Sequence, residues 1–284
     1  HVNDLIEGLA SQFGLDRALW LHSLKSGVGV DGAIKQVQEK MLKHVTPITG
    51  HLRLDQIVNP ITGLGVVAAG EERKKAVEHL QVCVEVGSGT GEWVVAQAKA
   101  DCFERGGPSR IWTGVELRHD RVYEALTRMH LEGVTNLALV HGDAAKVMSS
   151  RLADASVNRV YVNHPEPPER CGGTADSQGD HLLTREFLMD TCRVMKRGGI
   201  FTIVTDNHAY AQSLAQIASD DGGVGLIIEN GIEEGLPDEY RSSGGDWTTE
   251  GKVLKSTGCS YFDRLWTNGR KQKRWFLRLT KPLV

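Results

Sequence analysis

The sequence lacks any apolar run approaching the roughly 20 residues that a membrane-spanning helix needs. It also has no stretch laid out like a signal peptide. The chain opens on His1, so organelle targeting by an upstream segment stays open. Cysteine is scarce: Cys83, Cys102, Cys171, Cys192 and Cys259 are odd in number and form no C-x-x-C pair. That argues against a disulfide framework and against a zinc site. No metal is expected, and a reducing, cytoplasmic compartment is the simplest placement. An excess of one charge sign is missing too. A net charge of −3 gives no overall attraction to nucleic acid, although a local basic patch is compatible with it. No internal repeat or low-complexity tract stands out. What is present, 284 residues with 40% hydrophobic and 24% charged content, is enough for one large or two small domains with a real core.

Two regions of different character follow one another. Residues 1–79 read as helices: Leu5, Ile6, Leu9, Phe13, Leu15, Leu19 and Trp20 roughly fit a helical stripe, and Ile34, Val37, Met41 and Leu42 repeat the pattern. This N-terminal extension is expected to act as a lid or in substrate recognition. From residue 80 to 284, short β-rich runs alternate with helical ones: VCVEV, IWTGVEL, NLALV, NRVYVNH and IFTIVTD, each followed by a helix pattern. The fourth helix is read through LTREFLMDTCRVMKRGG. YFDRLW and KRWFLRLT read as two closing strands, and 230–258 as a long polar loop. The expectation is an α/β fold with a mostly parallel sheet of seven strands and helices on both faces, its ligand at the carboxyl ends of the strands.

VEVGSGTGEW (84–93) is the most informative segment. Gly87, Gly89 and Gly91, with Ser88 among them, let the backbone turn tightly and approach a ligand closely. The spacing is G-x-G-x-G, not the G-x-G-x-x-G of dinucleotide binders. Glu85, two residues earlier, suits a cationic or amine-bearing ligand better than a pyrophosphate. S-adenosylmethionine, with an amine and a sulfonium and no phosphate, is such a ligand. Glu116 ends the second strand, where a carboxylate can accept from ribose hydroxyls, and Leu117 follows it. Asp143, followed by Ala144, ends the third strand segment, where it can accept from an adenine amine or simply cap a helix. Asn163 and His164 end the fourth strand and complete the candidate cofactor-binding set.

NHPEPPER (163–170) then holds Glu166 between prolines. Proline fixes φ and cannot donate to a sheet ladder, so Glu166 sits on a stiff, extended turn outside the sheet. VEVGSGTG, GVELRHDRV, NLALVHGDA, NHPEPPER, the 181–211 segment and YFDRLW occur in the order of the bacterial tRNA (guanine-N7)-methyltransferases. From about residue 80 to 284 the chain resembles that family, a class I S-adenosylmethionine-dependent methyltransferase group with a Rossmann-like sheet. Its P-D-P-W turn corresponds here to Pro165-Glu166-Pro167-Pro168. The resemblance implies donor contacts at Glu85, Glu116, Asp143 and Glu166, with S-adenosylhomocysteine as product. It implies substrate contacts at Arg170, Asp206, Tyr261 and Asp263.

The family's basic run after the turn is replaced here by CGGTADSQGDH (171–181), without lysine or arginine. Phosphate contacts carry most salt-dependent affinity for nucleic acid. GRKQKR (269–274), flanked by Trp266 and Trp275, offers another basic surface for RNA, or is a solvated hairpin turn. Guanine N7 has a lone pair and no proton to lose, so no strong general base is required, and a fixed carboxylate nearby would stabilise the developing positive charge. Glu166 and Asp206 are the catalytic candidates. His141, His164 and His208 lie near strand ends and keep alive a small-molecule acceptor that must lose a proton. A third reading is a non-catalytic partner protein that binds S-adenosylmethionine and assembles through its N-terminal helices.

Overall fold

The computed structural model describes residues 50–52, 54, 80–102, 110–170, 181–219, 223–238, 240, 247–249, 252–254 and 272–283. Nearly all of the helical stripes expected over 1–79 lie outside these residues, as does the YFDRLW strand. The strands are β1 (Gln81–Val86), β2 (Arg110–Glu116), β3 (Leu137–His141), β4 (Val157–Asn163), β5 (Met195–Thr205), β6 (Ile227–Glu234), β7 (Trp247–Thr249), β8 (Lys252–Leu254) and β9 (Trp275–Thr280). The helices are α1 (Glu92–Cys102), α2 (His119–Leu131), α3 (Ala144–Ser150), α4 (Arg185–Val194) and α5 (His208–Ser219). Seven strands form one sheet in the order β3-β2-β1-β4-β5-β9-β6, and β7 and β8 pair as a separate hairpin. The β2–β3 and β4–β5 pairs are parallel, while β9 runs antiparallel to both β5 and β6. No helix among the described residues is long and apolar enough to cross a membrane.

The chain divides into two compact units, His1–Val84 with Ser88–Asp143, and Glu85–Gly87 with Ala144–Val284. In the first, Val122, Ala125, Leu126 and Met129 give α2 the i, i+3, i+4, i+7 stripe of a helix laid on a core. Trp112 of β2 lies edge-on to Trp93 of α1 at 5.6 Å, and its indole N–H donates to Asp101 at 2.6 Å. That bond satisfies the one polar atom of a fully buried ring.

In the second unit, two expectations are corrected. The fourth helix stops at Val194, and Met195–Gly199 belong to β5. Met195 is extended (ψ 142) and pairs with Val157, while Gly198 takes φ +71, a conformation no helix continues. The Lys281 ammonium donates to the carbonyls of Cys192 and Met195 at 2.8 and 2.9 Å, so α4 ends on a cation. The loop expected over 230–258 begins instead as a strand, β6, and also contains the β7–β8 hairpin. Asn230 and Gly231, both with positive φ, form an irregularity where the β6–β9 register shifts between Glu229 and Ile232. An edge strand exposed on one side tolerates this polar composition, which a count of turn residues mistakes for loop.

Candidate active site

In the first unit the site is built on the turn after β1. Gly89 and Gly91 have φ +55 and +76. At Gly91 a Cβ would lie 2.6 Å from the Ala125 Cβ, so this glycine lets the turn pack on α2. At Gly89 no atom of the described residues lies within 4 Å of the Cβ position. The Ser88 N–H donates to the Val115 carbonyl at 3.1 Å, and Gly91 N–H to the Ser88 carbonyl at 2.9 Å. Gly114 of β2 is required by the same contact, since its Cβ would meet the Ser88 Oγ at 2.9 Å. The Ser88 Oγ is buried with no hydrogen-bond partner among the described residues. Arg128 of α2 ties the turn down by donating to the Thr90 carbonyl and pairing with Glu92, each at 3.4 Å.

Glu116 closes β2 with only 6% of its surface exposed. One carboxylate oxygen accepts from the Gly89 N–H at 2.8 Å and the other from the Arg118 N–H at 2.9 Å. Each oxygen has two acceptor directions, so each retains capacity for a hydroxyl donor. The Arg118 guanidinium is turned to Asp120 at 2.5 Å, and that hydrogen bond holds the Asp120 carboxyl below its ordinary range. Glu116 thus takes its hydrogen bond from the Arg118 backbone, while the Arg118 side chain bonds to Asp120. Leu117 is 65% exposed, an apolar face beside the carboxylate. The Leu117 carbonyl lies 2.9 Å from His141 Nε2, and the Gly142 N–H donates to the Glu116 carbonyl at 2.9 Å. These bonds bring the Asp143 end of β3 to the same strand ends.

In the second unit Glu85, 2% exposed, accepts from the Asn163 side-chain amide at 2.7 Å. The Asn163 carbonyl oxygen in turn accepts from the Tyr240 hydroxyl at 2.6 Å. Gly87 has φ +71 and open space at its Cβ position. Ala144 begins α3 and is half-buried. After Asn163 the chain leaves the sheet at His164, whose φ is +52 and whose N–H donates to the Val204 carbonyl at 2.7 Å. Pro167 is buried and the Arg170 N–H closes a 3-10 turn on the Pro167 carbonyl at 2.9 Å. Glu166 stands exposed on this anchored corner, and Arg170 is exposed at its end.

Asp206 follows β5, two residues before α5, where a side chain could serve to cap that helix. The cap of α5 is Asn207: its side-chain oxygen accepts from the Tyr210 N–H at 3.0 Å, and its own N–H donates to the Thr205 hydroxyl at 3.1 Å. Asp206 meets the start of β9 through its carbonyl, which accepts from Gln272 at 3.4 Å. The His208 and Trp275 rings meet at a tilt, their centroids 5.0 Å apart. Tyr261 and Asp263 lie outside the described residues. Sequence reasoning missed Tyr240, which sits in a stretch read as featureless loop; no motif marks it.

A sheet with its penultimate strand reversed, a positive-φ glycine turn after β1 and a buried carboxylate ending β2 define an α/β methyltransferase of the class I type. Residues 79–231 match a family model described as "Putative methyltransferase". The tRNA (guanine-N(7)-)-methyltransferase of Chlamydia felis is 37% identical over 191 residues, covering 67% of this chain and 72% of that protein. Its namesake from Chlamydia muridarum is 32% identical over 65% of this chain and 70% of the relative. The one from Salmonella choleraesuis is 27% identical over 74% and 79%. The solved 16S rRNA (adenine(1408)-N(1))-methyltransferase from Catenulisporales acidiphilia has a TM-score of 0.47 at 18% identity, covering 74% of this chain and 91% of its own. This chain belongs to the tRNA (guanine-N(7)-)-methyltransferase family.

Proposed function

We propose that this enzyme methylates N7 of a guanine in tRNA, with S-adenosylmethionine as donor. The observation that carries the reading is the exposed Glu166 on its anchored proline corner directly after β4. It falls within the segment matched by relatives named for tRNA guanine-N7 methylation. Bound S-adenosylmethionine supplies an electrophilic methyl group on a sulfonium and leaves as S-adenosylhomocysteine.

The chain's own residues suit that donor. Glu116 has acceptor capacity left for a ribose diol after its two backbone bonds. Ser88, whose N–H donates to the Val115 carbonyl, holds the glycine turn in place beside the donor. Asp143, with Ala144, offers an acceptor for the adenine amine, and the exposed Leu117 an apolar face. Glu85 is held to meet an ammonium group, and Asn163 and His164 turn the chain beside it. None of these groups is a phosphate cradle, in keeping with a donor that has no phosphate.

For the acceptor, no base has to remove a proton from guanine N7. The work is to hold the ring in line and to stabilise the positive charge it gains. Glu166 supplies the opposing negative charge, and Asp206, released from capping by Asn207, accepts from the base edge. Arg170, Lys273 and Arg274 contact phosphates, with Tyr261 and Asp263 as further substrate contacts. A guanine inside a folded tRNA must be splayed out of its stack to reach these groups.

The test is methyl incorporation from labelled S-adenosylmethionine into unmodified tRNA, with nucleosides identified by mass spectrometry. The expected product is 7-methylguanosine, lost with Glu166→Ala. Another methylated nucleoside, or unchanged turnover in the variant, overturns the reading.

A further inference from the structure

Tyr240 is 1% exposed and reaches back from the segment after β6. Its ring lies edge-on to the buried Tyr161 at 6.2 Å. The segment is pinned by the Gly235 N–H donating to the Arg274 carbonyl at 2.8 Å and by the Tyr240 N–H donating to the Pro237 carbonyl at 3.0 Å. The hydroxyl therefore arrives at Asn163 from a fixed backbone. The bonds run in one direction: Tyr240 donates to the Asn163 carbonyl oxygen at 2.6 Å, and the Asn163 amide donates to the Glu85 carboxylate at 2.7 Å.

An asparagine amide can be turned either way. Turned the other way, its oxygen would face the Glu85 carboxylate, two acceptors in contact with no proton between them. In the observed orientation the Asn163 oxygen accepts from Tyr240 while its NH2 donates to Glu85, so both bonds are made at once and the Tyr240 bond adds to the hold on that orientation. We infer that Tyr240 is a positioning residue for the donor site: through Asn163 it fixes the Glu85 carboxylate as an oriented acceptor for the ammonium end of S-adenosylmethionine. The inference rests on the donor reading above. It gives the segment after β6 a task in cofactor affinity, although Tyr240 touches neither reacting atom.

The test is calorimetric titration of S-adenosylmethionine into the full chain and into Tyr240→Phe, Asn163→Ala and the double variant, with each Tm recorded. Tyr240→Phe keeps the ring and its packing and removes only the hydroxyl. The expected result is a Kd about 5–10-fold higher, the size of one lost buried hydrogen bond. The KM for the donor should rise with it, while kcat at saturating donor stays within about twofold. Asn163→Ala should weaken binding at least as much, and adding Tyr240→Phe to it should change nothing further, because the two act through one chain of bonds. A merely structural Tyr240 would cost the same in both backgrounds, and that additivity overturns the inference. So does an unchanged Kd in Tyr240→Phe while the parent binds normally, an outcome that leaves the donor reading standing. A parent chain that binds no S-adenosylmethionine overturns both.

Discussion

Glu116 and Glu85 are both strand-end carboxylates, 6% and 2% exposed, and they are held in opposite ways. Glu116 is gripped by two backbone N–H groups, from Gly89 and Arg118. Glu85 is gripped by a side chain, Asn163, which Tyr240 holds in turn. Backbone donors survive substitution of their own side chains as long as the turn survives. A side-chain donor brings its own freedom to flip and needs a further partner to lose it. The first arrangement comes with the fold of the glycine turn. The second is added residue by residue from elsewhere in the sequence.

The largest expected effect comes from a third carboxylate, Glu166, on the exposed corner after β4. Glu166 is exposed, so Glu166→Ala should lower turnover about 10²–10³-fold, the scale of one lost transition-state electrostatic contact, with Tm unchanged. Steady-state kinetics beside a melting curve checks both halves.

Next, Glu116→Gln should raise the Kd for S-adenosylmethionine about 30-fold and destabilise the fold by about 2 kcal/mol. A glutamine places its NH2 against one of two N–H donors that cannot turn away, leaving a buried donor unsatisfied. Glu85→Gln should raise the Kd about 10-fold and cost less than about 1 kcal/mol, because its amide can turn its oxygen toward Asn163. Calorimetry and denaturant titration on the pair test this. Equal stability costs would erase the distinction between backbone and side-chain grip.

The smallest effect is at the end of β5. Asn207→Ala should cost about 1 kcal/mol by removing the α5 cap. Asp206→Asn should leave stability untouched and lower activity. Denaturant titration of both variants distinguishes a cap from a substrate contact at neighbouring positions.

Much of this was legible in the sequence where partners are local or backbone-borne. The alternation of β-rich and helical runs gives β1 to β5, and the G-x-G-x-G turn with Glu85 and Glu116 marks the ends of β1 and β2. The proline corner around Glu166 could be read as a rigid exit from the sheet because proline's constraint acts on its own residue and the one before. Legibility failed where a distant element decides. Met195–Gly199 look like the end of a helix until Val157 and Lys281 claim them. β6 looks like loop because its Asn230-Gly231 irregularity mimics a turn. Tyr240 carries no local signal, since its hydroxyl meets a residue 77 positions away in the chain.

The most direct test of the central claim uses two tRNA transcripts, one ordinary and one built with 7-deazaguanosine in place of guanosine. The second keeps the fold and the base-pairing edge but has a carbon where the accepting lone pair should be. The account predicts labelled methyl in the first transcript and none in the second. Equal labelling of both would show that guanine N7 is not the acceptor, and would contradict the role given to Glu166.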